Sequence, residues 1–158
     1  MIKAAFFDID GTLLSFKTHR IPASAQQVLD GFHEQGIACV IATGRPTYQM
    51  PDWLFDLGWD AYITLSGQHC FDAKGVYRSC PIDPDDVAVI VDQVAQGRYD
   101  SLCMQGENSF VNRLSERVVT AGSNAGIVYH EEPFDHAFDA PVYQFCAFVD
   151  PADEHIVT

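Results

Sequence analysis

The feature that most restricts this chain is the recurrence of short apolar runs at spacings that leave room for a helix. Ile2–Ile9, Ile37–Ala42 and Ala61–Leu65 are too short for helices and are rich in Ile, Val, Phe and Ala. Runs of that kind, without polar alternation, are strands buried on both faces. Between the first two, Pro22 suits a first helical turn and Ser24 with Gln27 resembles a capping box. Val28, Leu29 and Phe32 make one apolar stripe, and Gly36 is a natural stop. Between the second and third, Pro46–Leu57 reads as helical, with Trp53, Leu54 and Leu57 apolar, and Pro51 predicts a kink or a late start. The order β-α-β-α-β calls for a parallel sheet with crossover helices, a doubly wound α/β layer. Gln68–Asp72 and Val76–Cys80, flanking Ala73-Lys74-Gly75, predict a hairpin.

After Pro81 the texture changes to α+β. Asp83 is placed to cap a helix opening at Pro84, with Val87, Ile90, Val91 and Val94 along one face. Short strands are expected near Ser101–Gln105 and Ser109–Asn112, a helix near Leu114–Ala121, a strand over Tyr143–Val149, and a last helix opening at Asp150-Pro151. The predicted division is residues 1–81 for the first part and 82–158 for the second. No internal repeat is present.

Composition excludes several classes. A chain of 158 residues with 47% hydrophobic and 20% charged residues is globular, and no apolar run approaches the length of a membrane span. Nine Lys and Arg against 22 Asp and Glu leave a net charge of −13, which disfavours nucleic acid and anionic lipid alike. The N-terminal apolar run meets Asp8 and is not a signal peptide. Five cysteines, an odd number with no C-x-x-C pair, argue against a disulfide framework or structural zinc. Cys39 and Cys146 lie in apolar runs and read as core thiols, and a reducing cytoplasm is the simplest compartment.

The chemistry lies in Phe6-Phe7-Asp8-Ile9-Asp10-Gly11-Thr12-Leu13. Two carboxylates leave the carboxyl end of the first strand, the edge where open α/β sheets bind ligands. In extended chain, positions i and i+2 point the same way, so both acids address one place. Gly11 permits a tight turn and close approach of backbone to an anion. The plainer alternative is that Asp8 and Asp10 cap a loop. A calcium loop is excluded because its closing Glu position holds His19.

This stretch resembles the first motif, D-x-D-G-T, of the haloacid dehalogenase superfamily of phosphotransferases. Thr43 in Ile41-Ala42-Thr43-Gly44-Arg45, at the end of the next strand, is similar to the second. The T-G-R form and the later α+β insert resemble the Cof-type branch, whose type IIB cap follows the third strand. The resemblance implies an α/β, Rossmann-like core and an inserted α+β cap. It implies Asp8 as nucleophile, forming an aspartyl-phosphate, and Asp10 as general acid and base. It implies Mg²⁺ held by the Asp8 carboxylate and the Asp10 carbonyl, and a phosphate-binding set of Gly11, Thr43, Gly44 and Arg45. Thr43 also has a plainer reading as a satisfied strand-end hydroxyl, and Arg45 as the partner of a surface acid.

Two further motifs of that family have no counterpart. No Lys follows residue 74, and no G-D-x-x-N-D segment occurs. Asp85-Asp86 falls in a first helical turn and reads as dipole complementarity. The expectation is a Cof-type protein shortened within both core and cap, by proteolysis, cloning or an interrupted gene. Its third strand would carry an open edge that permits a homodimer. Ser66 stands where the branch usually has Asn. His69 has readings as a ligand, a base or a hairpin residue. Phe110, Tyr129, Phe134, Phe138 and Tyr143 read as packing aromatics, and Glu131–Asp135 as a solvated loop. The expected function is Mg²⁺-dependent hydrolysis of small phosphorylated metabolites, sugar phosphates first, with little activity in this chain. The alternatives are a non-catalytic interaction module and a phosphomutase. A receiver domain is set aside because its phosphoacceptor position would hold Ser66.

Overall fold

The computed structural model describes residues 2–15 and 21–156. The later part of the predicted 11–20 loop, with Lys17 and His19, lies outside the described residues. The chain divides into two compact units, Met1–Cys80 and Pro81–Thr158.

In the first unit, β1 (Ala4–Phe7), β2 (Ala38–Ala42) and β3 (Ala61–Thr64) pair in parallel. β4 (His69–Asp72) joins β3 antiparallel, and β5 (Gly75–Ser79) joins β4, giving the order β1-β2-β3-β4-β5. Asp72 turns the hairpin, accepting from the Lys74 and Gly75 amides at 2.6 and 3.3 Å. α1 (Ala23–Glu34) follows Pro22, and Gly36 beyond its end takes φ +68°. The capping box does not form: the helix begins at Ala23, so Ser24 already lies within the first turn and no side chain caps it. The stripe is also narrower than expected, for Leu29 is buried and Phe32 half-buried while Val28 is 48% exposed. α2 (Asp52–Phe55) is a single turn starting late, after Pro51, and a separate 3₁₀ turn occupies Thr47–Gln49. Trp59 closes this region, its indole N–H donating to the Leu54 carbonyl at 2.8 Å.

Leu29 of α1 and Leu54 of α2 share one core with Cys39 and Ile41, which lie on one face of β2. Both helices therefore cover the same face, and the doubly wound arrangement is not found among the described residues. The reason is topological. Right-handed crossovers that step in one direction across a sheet, β1 to β2 to β3, put every helix on one side. The open edge also differs from expectation. β4 covers β3, and the strands without an outer neighbour among the described residues are β5 and β1, whose Phe6 is 63% exposed.

In the second unit, β6 (Asp100–Gln105) is central, flanked antiparallel by β7 (Ser109–Val111) and β8 (Val142–Phe148). α3 (Pro84–Ala95) is capped by Asp83, whose side chain accepts from the Asp85 amide at 2.9 Å. Asp85 and Asp86 are exposed in its first turn. Val87, Cys103, Phe110, Ala137 and Val142 form the core, with Phe134 and Phe145 packed on it. Of the expected packing aromatics, Phe110 is fully buried, whereas Phe138 is 55% exposed. The last helix is a 3₁₀ segment, Pro151–Ile156. Cys39 and Cys103 are the fully buried thiols and Cys146 is only partly so. Burial pushes the Cys103 thiol up to about 12.

The acidic run near residue 131 is exposed at Glu131 and Asp135, as expected, and is also tied to this unit by hydrogen bonds. Glu131 bridges to Val111 and its carboxylate accepts from the Leu114 amide at 2.8 Å. The Glu132 amide donates to the Val111 carbonyl at 3.0 Å, and the Glu132 carboxylate meets His136 Nδ1 at 3.1 Å. That hydrogen bond, with the charges of Asp139 and Asp135, raises the His136 pKa above its ordinary value. A raised folded-state value means the contact stabilises fully below pH 6.5 and is lost as pH rises through the folded pKa. Titration of the His136 imidazole by NMR is expected to show the raised midpoint, and Glu132→Gln to return it toward the ordinary histidine value.

α4 (Glu116–Ala125) ends at Gly126 in the left-handed region, φ +68°. Within it, Gly122 is buried, and a β-carbon there would come 2.6 Å from the Ile127 carbonyl oxygen and 3.1 Å from the Tyr129 ring. Alanine is the better helix former by about 1 kcal/mol. The clash is with backbone, so Gly122→Ala is nevertheless expected to destabilise the protein, by roughly 1–2 kcal/mol in denaturant unfolding.

Candidate functional site

The turn after β1 is shaped by what it must bury. Ile9, Leu13 and Leu14 enter the core of the first unit. The amides of Leu13 and Leu14 donate to the Ile9 carbonyl at 3.1 and 2.8 Å, and the Gly11 amide donates to the Leu14 carbonyl at 2.9 Å. Gly11 takes φ +77°, which explains a glycine at this point. With the apolar residues directed inward, Asp8 stays exposed and Asp10 half-exposed. Among the described residues nothing hydrogen-bonds or pairs with the Asp8 carboxylate, so it is available to an electrophile or a cation.

The second edge comes from β2. Phe7 stands opposite Ile41, so the carboxyl ends of β1 and β2 lie side by side, one strand spacing apart, about 4.8 Å. Thr43 is buried there. Its amide donates to the Ile63 carbonyl at 2.9 Å, and its Oγ1 accepts from the Arg45 amide at 3.1 Å. The hydroxyl is thus satisfied as an acceptor and keeps its proton to donate. Of the two readings of Arg45, the pairing with an acid is formed here, and that acid is Asp10. Nε and Nη2 donate to Oδ2 and Oδ1 at 2.7 and 2.8 Å, a bidentate fork, while Nη1 donates to the Gln49 carbonyl at 2.9 Å.

One element of the site had no warning in the sequence beyond Gly67. After β3 the chain makes three consecutive left-handed residues, Leu65 (φ +51°), Ser66 (φ +56°) and Gly67 (φ +91°). For Leu and Ser this conformation is strained. It is held by two backbone bonds to the second edge, Leu65 amide to Arg45 carbonyl and Ser66 amide to Thr43 carbonyl, both 3.2 Å. A β-carbon on Gly44 would stand 3.4 Å from the Ser66 hydroxyl, so this clasp also fits closely over Gly44. His69 lies one strand on, in β4, its ring centroid 5.3 Å from that of Phe71.

The site therefore unites Asp10 with Arg45 directly, and sets Asp8, Gly11, Thr43 and Gly44 along two adjacent strand ends. The Gly11 amide is already used within its turn, so an anion would have to exchange for the Leu14 carbonyl. The oxygen donors suit a hard cation. The Asp8 carboxylate is free, and no donor among the described residues reaches the Asp10 carbonyl. Among the described residues no group of three or more His, Cys, Asp or Glu side chains is placed to hold a metal ion. A cation would complete its shell with water and substrate oxygens.

A parallel-rich sheet with two acids at one strand end and a threonine-arginine turn at the next defines an α/β protein with polar side chains gathered at the carboxyl edge of its parallel strands. The chain belongs to the haloacid dehalogenase-like hydrolases, whose family model matches residues 5–157. It is 31% identical over 96% of its length to a protein of Streptococcus pyogenes named as a bifunctional phosphatase/peptidyl-prolyl cis-trans isomerase, and covers 32% of that protein. Among solved structures it is similar to a subclass IIB sugar phosphatase of the same superfamily, with TM-score 0.84, 31% identity, and coverage of 98% of this chain and 62% of that one. Another, described for a trigonal-bipyramidal intermediate in a phosphoryl-transfer superfamily, gives TM-score 0.87 and 30% identity, covering all of this chain and 62% of that one. The chain thus spans about a third of this curated relative and about three fifths of these solved ones.

The strained clasp yields a test. Ser66→Gly is expected to raise stability by about 1 kcal/mol, because glycine adopts φ +56° without a steric penalty. Thermal unfolding of the two proteins side by side reads the difference.

Proposed function

We propose that this chain carries the nucleophile-bearing part of a Mg²⁺-dependent phosphatase that acts on small phosphomonoesters, sugar phosphates first. The observation that carries the reading is the placing of a free carboxylate, Asp8, two residues from a second acid and beside the buried Thr43 hydroxyl. Asp8 attacks phosphorus and the ester oxygen departs, leaving an acyl phosphate on Asp8. Asp10 supplies the proton the leaving oxygen takes, then removes one from the water that hydrolyses the acyl phosphate. Thr43 donates its hydroxyl proton to a phosphoryl oxygen, and Gly11, Gly44 and Arg45 line the same space. Mg²⁺, held by the Asp8 carboxylate and the Asp10 carbonyl, would offset the negative charge shared by Asp8 and the phosphoryl oxygens.

Two features support low activity for the chain as it stands. No Lys follows residue 74, so no later lysine neutralises Asp8. The described residues also lack a third carboxylate placed for the metal. The substrate class leans on the sugar phosphatase relative and on an Enterobacter relative named as an HMP-PP phosphatase, 36% identical over 87 residues. Residues 82–158 are proposed as part of a cap domain. Five free cysteines support a reducing cytoplasm, and no helix among the described residues is long and apolar enough to cross a membrane. A homodimer remains part of the proposal, through the free edge of β1 rather than β3.

Hydrolysis of a chromogenic aryl phosphate tests the reading. The 158-residue chain is expected to show slow turnover that needs Mg²⁺, is abolished by Asp8→Asn, and falls by about 10²–10⁴-fold with Asp10→Asn. Turnover that survives Asp8→Asn would refute the assignment of the nucleophile.

A further inference from the structure

We propose that Asp10 is an internal competitor for Arg45, so that the site takes up a phosphate-like anion only by exchanging the Arg45–Asp10 fork for an Arg45–anion fork. The inference rests on the reading above that this site receives a phosphoryl group. It goes further in saying what that group must displace.

Three observations carry it. First, the Nε–Nη2 edge of a guanidinium is the edge that matches two oxygens of a carboxylate or a phosphate. In this protein both donors of that edge are committed to Asp10, at 2.7 and 2.8 Å. Second, the pair is within reach of a ligand: the Arg45 side chain is 18% exposed and that of Asp10 37%. Third, the Arg45 backbone is held by bonds separate from those of its guanidinium. Its amide is tied to Thr43 Oγ1 and its carbonyl to the Leu65 amide. The guanidinium is held at its far nitrogen by the Gln49 carbonyl at 2.9 Å. A turn of the side chain that gives up its bonds to Asp10 can therefore redirect the fork while the backbone bonds that present Thr43 stay in place.

The exchange has a mechanistic consequence. While both Asp10 oxygens accept guanidinium protons, neither is free to hold the proton destined for a leaving group. An anion that draws the fork away leaves an oxygen open for that proton. Asp10 is then released only when the site is filled, and ligands without a phosphate-like anion do not release it. Arg45 acts here as a positioning residue for Asp10 and as an anion contact.

The test is the affinity of the full 158-residue chain for inorganic phosphate in Mg²⁺-containing buffer, measured calorimetrically in a double-mutant cycle. Asp10→Asn is expected to tighten phosphate binding by at least ~5-fold when Arg45 is present, and by less than ~2-fold when it is combined with Arg45→Gln. Relief of general charge repulsion would act equally in both backgrounds, so only competition for the fork produces the difference. Arg45→Lys, which keeps the charge but not the fork, is expected to lose most of the coupling and guards against a misfolded glutamine variant. Equal effects of Asp10→Asn in both backgrounds would overturn the proposal, as would the absence of phosphate binding by every variant. The Asp8→Asn turnover assay reports separately on the phosphatase reading: coupling without turnover sinks that reading and leaves the exchange standing, and turnover without coupling does the reverse.

Discussion

The site depends on the parallel register of β1 and β2. Ala4 to Phe7 run alongside Ala38 to Ile41, and this alignment makes the two strands finish together. A slip of one residue would turn Phe7, Cys39 or Ile41 away from the core that α1 and α2 cover. The register is therefore held by burial, although what it positions is polar. Asp8 and Asp10 sit at one strand end and Thr43 and Arg45 at the next because the apolar residues before them fit one shared core. Ile9, Leu13 and Leu14 extend the same logic past the strand, anchoring a turn that would otherwise be free to wander.

On that frame the polar groups are arranged with little slack. Thr43 is tied through its amide, its carbonyl and its hydroxyl, and Arg45 through its amide, its carbonyl and its guanidinium. The Leu65–Gly67 clasp adopts backbone conformations that Leu and Ser seldom take, and backbone bonds to Thr43 and Arg45 compensate the strain. By contrast Asp8 is left without a partner among the described residues. The proposed role of Asp8 as nucleophile rests on this contrast between secured supporting groups and one carboxylate without a partner.

Much of the first unit was legible in the sequence because buried parallel strands leave a signal that needs no partner to recognise: short unbroken apolar runs. The two acids and Thr43 could be placed because they follow those runs directly. Elements governed by neighbours were less legible. Ser24 and Gln27 have the chemistry of a capping box, but Pro22 starts the helix too early for them to use it. Val28 looks like part of a buried stripe, yet its side of α1 meets too little of the sheet to cover it. The Glu131–Asp135 run reads as solvated by composition and is exposed at both ends, but its backbone and the Glu131 carboxylate also tie it to Val111 and Leu114, which the composition does not record.

The sequence by itself determined the strand order of events: a buried strand ending in Asp8 and Asp10, a second ending in Thr43 and Arg45, and a change of texture at Pro81. These are local properties, encoded in runs of a few residues and in turn-forming glycine and proline. Only the tertiary structure decided which sheet edge stays open, that both helices cover one face, and that Arg45 closes on Asp10 rather than on some other acid. Those outcomes depend on the direction in which each crossover steps and on distances between residues 35 apart in the chain, which no local pattern records.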